Sequence, residues 1–189
     1  MHPREILKAQ TRVAHERVDR AFSRFDMSHP IGYRCFLETH YTVLPACERV
    51  LALSNAATLL PDWPTRVRTR ALEHDLMALG IDTAPDMTFA EPLALAAAFG
   101  MMYVLEGSRI GGAVLASRLP ANSDAIREGA TQYLRHGEGL QLWSSFVAAL
   151  NTSQHVCEEM NAVVASALRT FELFEAAADS AKLPHLQST

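Results

Sequence analysis

The chain has 189 residues, 49% of them hydrophobic and 20% charged, with a formal net charge of −4 at pH 7. That length suits one domain around one core, and the negative balance argues against a nucleic-acid binder that works through overall basicity. Charged residues or histidine interrupt every apolar run before it reaches membrane-spanning length, so no membrane segment is expected.

The N-terminus runs from Met1-His2-Pro3 directly into an amphipathic pattern with no signal-peptide character. Cys35, Cys47 and Cys157 are odd in number and lack metal-type spacing. They point to reduced thiols in a cytoplasmic protein and away from zinc or iron–sulfur sites. Between Pro3 and about Phe25, Leu7, Ala14, Val18, Ala21, Phe22 and Phe25 recur at helical spacing. Pro3 suits the first turn. Asp26 to Pro30 reads as a turn in which Ser28 is the candidate N-cap. A second helix is expected from about Gly32 into the fifties, kinked or divided at Pro45, which has no N–H. Asp62-Trp63-Pro64 opens a third helix and Gly80 closes it, after which Ile81 to Met87 reads as loop.

A long helix starts near the capping-box pattern of Thr88 to Glu91 and ends by Pro120. Ser123 to Leu134 is expected to be helical, with punctuation at His136-Gly137-Glu138-Gly139. A helix with Leu142, Trp143, Phe146 and Leu150 follows. Asn151 to Gln154 reads as the cap of a last helix that reaches about Ala178, leaving 179–189 as a frayed tail. No segment alternates at period two. The expected fold is therefore an all-α, single-domain bundle of seven or eight helices over residues 1–178.

The long helix carries Gly100, Gly107, Gly111 and Gly112, each costing about 1 kcal/mol relative to Ala. Together about 4 kcal/mol is a large part of a net stability of about 5–15 kcal/mol. At about 100° per residue, Gly100, Gly107 and Gly111 fall within about 40° of one another. Two readings fit this bare stripe equally: a close helix crossing, or a flat, bulky ligand against exposed backbone.

His15 sits at the border of the first helix's apolar face, where a lone histidine is most often structural. Lys8, seven residues earlier, lies about 20° away around the helix. A neutral imidazole for a buried metal, with an ammonium two turns off for an anion, suits heme, which has iron at its centre and carboxylates at one edge. A structural histidine beside a solvated lysine is the plainer alternative.

The segments Thr11-Arg12-Val13-Ala14-His15-Glu16-Arg17-Val18-Asp19 and Tyr103-Val104-Leu105-Glu106-Gly107-Ser108-Arg109-Ile110-Gly111-Gly112 resemble the heme oxygenase family. The likeness is closest to its bacterial branch, which supplies biliverdin to bacteriophytochromes. Tyr133 to Gly139 with Trp143 and Phe146, and Phe171 to Glu175, extend it over about Lys8 to Glu175. The resemblance implies that His15 is the proximal ligand of heme iron. It makes Gly107 and Gly111 the glycines of a distal helix that bends over the other heme face, and Lys8 the partner of a propionate. Thr11, Arg12 and Tyr103 are the further candidates for the cofactor site. Heme is then both cofactor and substrate, and O₂ with electrons from an external reductant opens the ring to biliverdin, CO and ferrous iron. A ferredoxin-type electron donor and a bacteriophytochrome acceptor come from the same resemblance.

The residue types agree with that chemistry. Neutral histidine holds iron five-coordinate and leaves the sixth position open to O₂, while glycine leaves room for ordered water that can pass a proton. Ser108 stands where the mammalian enzymes have an aspartate that anchors the distal water. It is a catalytic candidate, either touching that water or capping a backbone carbonyl. Glu106 is expected to point outward, Arg135 and Arg169 are candidate carboxylate partners, and His40, His74, His136 and His155 are expected to be solvated or hydrogen-bonded. Two other functions remain open: a heme-binding or heme-sensing protein without turnover, and a helical interaction protein whose pocket has closed.

Overall fold

The computed structural model describes residues 2–83, 91–120, 123 and 129–182. Helix α1 (Pro3–Phe22) starts on Pro3 and turns Leu7, Thr11, Ala14 and Ala21 inward. Helix α2 (Pro30–Tyr41) is capped by His29, whose Nδ1 accepts the Ile31 N–H at 3.2 Å. Ser28 is not the cap that its position suggests. Its hydroxyl donates to Asp26 Oδ1 at 2.6 Å and tightens the turn one residue too early. The expected division at Pro45 is present: α2 ends at Tyr41 and α3 (Leu44–Leu53) begins with Pro45 in its first turn, where a missing N–H costs nothing.

The chain then departs from the expected single third helix. Asn55 adopts a left-handed conformation, φ 56°, and starts the one-turn α4 (Ala56–Leu59). The one-turn α5 (Trp63–Arg66) follows, and Val67, extended at ψ 127°, separates it from α6 (Thr69–Ala78). This break lets Arg66 and Arg68 both point into the protein, where they are 1% and 3% exposed. Gly80 closes the unit at φ +73°, the left-handed backbone that follows many helix ends.

The glycine-bearing helix α7 (Leu95–Arg118) runs unbroken through all four of its glycines, and none has positive φ. It begins after Ala94 with no side-chain cap. The Thr88 end of the expected capping box lies outside the described residues. Nearby, Leu93 N–H donates to Ser54 Oγ at 2.7 Å, tying the entry of α7 to the end of α3. Of the helix expected over Ser123 to Leu134, the described residues hold only α8 (Gln132–Arg135). Helix α9 (Leu142–Thr152) leads to the short α10 (Gln154–Glu158), whose N-cap is Ser153. The last helix, α11 (Met160–Ser180), thus begins after the N-cap Glu159, later than the Asn151 to Gln154 cap predicts, and continues past Ala178 to Ser180.

The described residues are all-helical, and seven of these helices have ten residues or more. Helix α11 is the spine. It packs along α1 on one side and along α7 on the other, while α1 and α7 have no extensive contact of their own. Its Val163, Val164, Ala167, Phe171, Phe174 and Ala178 are buried between them. The first half of α7 is buried nearly all round, from Ala96 to Glu106, as an apolar helix in a core must be, and its surface opens from Ile110 onward. No helix among the described residues is long and apolar enough to cross a membrane.

Candidate heme site

The glycine stripe splits into two environments. A methyl group on Gly100 would collide with the Val163 carbonyl oxygen and stand 2.9 Å from the Ala167 nitrogen, so here the stripe is a helix crossing with α11. A methyl on Gly107 would meet only the Trp143 ring, at 3.7 Å, and one on Gly111 would meet nothing within 4 Å. Gly112 turns aside toward the Leu134 backbone. The crossing and the open face are therefore both real, on successive parts of one helix.

On α1, His15 leaves 61% of its side chain exposed, and its ring stands edge-on to Phe171 of α11 at 5.7 Å. Its Nδ1 lies 3.0 Å from Asp19 Oδ2. A carboxylate there fixes the tautomer with the proton on Nδ1 and leaves Nε2 with its lone pair outward, the arrangement common to metal-ligating histidines. One turn earlier, Thr11 is buried and donates to the Leu7 carbonyl at 2.8 Å. Its side chain also meets the Tyr103 hydroxyl, and burial raises the Tyr103 phenol above its ordinary value. Tyr103 packs on Trp143 at 5.9 Å between centroids, and Trp143 on Phe146 at 5.7 Å. Thr11 and Tyr103 thus join α1 to α7 one turn before His15 and Gly107 respectively. Lys8 is exposed on the same face of α1. Arg12 is also exposed, but its guanidinium is paired with Glu16 at 2.7 Å.

Ser108 faces away from the bare stripe. Its hydroxyl donates to the Leu105 carbonyl at 2.8 Å and accepts from Arg68 Nη2 at 2.9 Å. It caps a carbonyl inside a buried polar layer behind α7. That layer is what sequence reasoning missed. Glu106, expected to point outward, is fully buried between two guanidinium groups: Arg66 Nη1 at 2.7 Å, and Arg109 through Nε and Nη2, both at 3.0 Å. Arg109 also donates to the Arg66 carbonyl and lies 3.0 Å from His136 Nδ1. Burial, with Arg109 close by, holds the His136 pKa down to about 4. Arg68 stacks over Tyr133 at 5.2 Å, and Glu48 accepts the Arg68 and Thr69 backbone N–H groups at 2.7 and 3.0 Å, capping α6. His40 is buried and hydrogen-bonded to the Phe36 carbonyl at 2.9 Å. Arg135 pairs with Glu138 at the surface, and Arg169 is exposed.

A signal for Glu106 does exist in the sequence. It lies four residues after Met102 and seven after Phe99, on a face that is otherwise apolar. For Arg66 the sequence marks only Asp62, four residues earlier, because the partners that draw it inward are 40 and 76 residues away.

The residues present fit a porphyrin. His15 offers an outward imidazole nitrogen of the kind that would hold heme iron, and a Cβ at Gly111 would meet nothing while one at Gly107 would meet only the Trp143 ring. Aromatic rings of Trp143, Tyr103 and Phe171 border these positions. This is the constellation of a heme-handling helical bundle.

Comparison with known proteins agrees. Residues 86–179 match the family Heme oxygenase. The chain is 31% identical over 121 residues to a heme oxygenase of Xanthomonas campestris pv. campestris (strain 8004), an alignment covering 62% of this chain and 71% of that protein. Its fold superposes on the heme oxygenase of Neisseria meningitidis, crystallised with NO and CO bound, with a TM-score of 0.77 over 100% of both chains at 19% identity. The chain belongs to the heme oxygenase family, a family of enzymes.

Proposed function

We propose that this protein opens heme to biliverdin in the cytoplasm, taking electrons from a ferredoxin-type donor and supplying the product to a bacteriophytochrome. Bound heme would supply the iron at which O₂ is reduced and the ring that is cleaved, with CO and ferrous iron as the other products. In this reading, Nε2 of His15 would hold the heme iron, with Asp19 orienting the imidazole through Nδ1. Lys8 and Tyr103 meet the propionates, with Thr11 steadying the Tyr103 hydroxyl. Arg12 joins them only by leaving Glu16. Gly107 and Gly111 bring main chain close to the ring and exclude any side chain that would donate a proton directly, leaving that role to ordered water.

The observation that carries the proposal is the open space at Gly111, with Gly107 meeting only the Trp143 ring, on a helix whose other stripe glycine is sealed against α11. One feature favours binding without turnover as the second reading: the Ser108 proton is committed to the Leu105 carbonyl. In the oxygenase reading Ser108 serves catalysis indirectly, by holding Arg68 beside the distal helix.

The test is the optical spectrum of the purified protein with hemin, followed through addition of reductant in air. The Soret band should fall as a red-absorbing product appears, and His15→Ala should weaken hemin binding about tenfold and abolish turnover. An unchanged Soret band with tight binding would establish the second reading, and no hemin binding would dismiss both.

A further inference from the structure

The Arg66 guanidinium joins two chain segments at a revealing place. Its Nη1 donates to Glu106 Oε2 at 2.7 Å and to the Leu142 carbonyl at 2.9 Å. Glu106 immediately precedes Gly107, and Leu142 immediately precedes Trp143. Gly107 and Trp143 are the pair that face each other at 3.7 Å, measured from the position a Gly107 Cβ would take. The other three donors are also used: Nε on Asp62 Oδ1 at 2.8 Å, and Nη2 on Asp62 Oδ2 at 2.8 Å and Ser145 Oγ at 2.7 Å. All five N–H groups of the fork have acceptors. Burial works against the charge, but the Asp62 and Glu106 carboxylates outweigh it and hold the guanidinium above its ordinary pKa. Arg109 grips Glu106 from the other side.

We propose that Arg66 is a positioning residue that sets the gap between the Gly107 backbone and the Trp143 ring, and so the width of the heme slot on its distal side. The slot rests on the function proposed above, whereas the clamp itself can be read without heme. Lysine, with three donors and no planar fork, cannot reproduce the bridge. Asp62 marks the structural part of the cluster. It holds the same guanidinium through Nε and Nη2, not through the Nη1 that reaches Glu106 and the Leu142 carbonyl, and 46% of its side chain is exposed.

The test uses the full chain labelled with 5-fluorotryptophan, in which Trp143→Phe identifies the Trp143 resonance. Without heme, Arg66→Lys should shift or broaden that resonance while Asp62→Asn leaves it in place, whatever each does to the melting temperature. With hemin, Arg66→Lys should bind about tenfold more weakly and yield an altered mixture of biliverdin isomers, with Asp62→Asn again like wild type. Glu106→Gln, which keeps the side-chain shape, carries the same expectation and stands in if Arg66→Lys does not fold.

A wild-type Trp143 resonance in the folded variants, or equal disturbance by Asp62→Asn, would overturn the clamp. Failure of the wild-type chain to bind hemin would overturn the functional reading and leave the fluorine result to decide the clamp.

Discussion

Gly100 and Gly111 lie on one side of the same helix, about three turns apart, yet they are glycine for opposite reasons. At Gly100 the backbone of α11 occupies the space that a side chain would need. At Gly111 nothing does, although an alanine there would favour the helix by about 1 kcal/mol. A packing requirement explains the first and leaves the second unexplained. Residues that are costly to stability and unconstrained by the fold are expected where function sets the choice. The contrast therefore separates the part of α7 that builds the protein from the part that the proposed function assigns to heme.

The largest effect should come from the sealed end. Gly100→Ala forces α7 and α11 apart and should destabilise the fold by about 3–4 kcal/mol in urea denaturation. A change below about 1 kcal/mol would break the contrast.

Next comes the acid response of the tight region, where His40 packs against Phe36, Tyr133 and Phe174. Burial holds its pKa down to about 4, below the ordinary value of about 6.5. The unfolded chain thus binds the proton first. The stabilisation is complete above about pH 6.5 and is lost as pH falls toward 4, by about 2–3 kcal/mol from this group. His136 shifts in the same direction and adds to the loss. His40→Gln should flatten this limb when denaturation is compared at pH 7, 5.5 and 4.5.

The smallest change in stability, but the most telling, is at the open end. Gly111→Ala should raise stability by about 0.5–1 kcal/mol while slowing hemin turnover about tenfold. A gain in stability with turnover intact would remove the site from that face.

Much of this was legible in the sequence, for physical reasons. Periodicity exposes long amphipathic helices, Pro45 forces a division, and the glycine spacing marks one stripe whatever lies against it. His15 and Lys8 share a face because both belong to one helix, so their relation is fixed by local geometry. The short helix α4 and the break that ends α5 after one turn were not legible, although Asp62-Trp63-Pro64 did mark where α5 starts. They depend on the left-handed turn at Asn55 and the extended residue Val67, neither of which carries glycine. Nor was the Arg66–Glu106–Arg109 cluster, because Arg66 lies in the run Arg66-Val67-Arg68-Thr69-Arg70, which looks like a solvated face. Burial of such a run becomes possible only when acceptors arrive from distant segments.

The placement of α11 bears on how the protein is made. Its 21 residues follow both α1 and α7 in the sequence, and the helices bearing His15 and Gly107 are aligned chiefly by packing on it, with little contact of their own beyond Thr11 and Tyr103. During synthesis the chain that precedes α11 can coil into helices but has little to bring the imidazole into register with the bare main chain. Competence to capture a porphyrin should therefore switch on late, when Phe171 clears the ribosome, which keeps a half-finished chain from holding a reactive iron compound in an unshielded cleft.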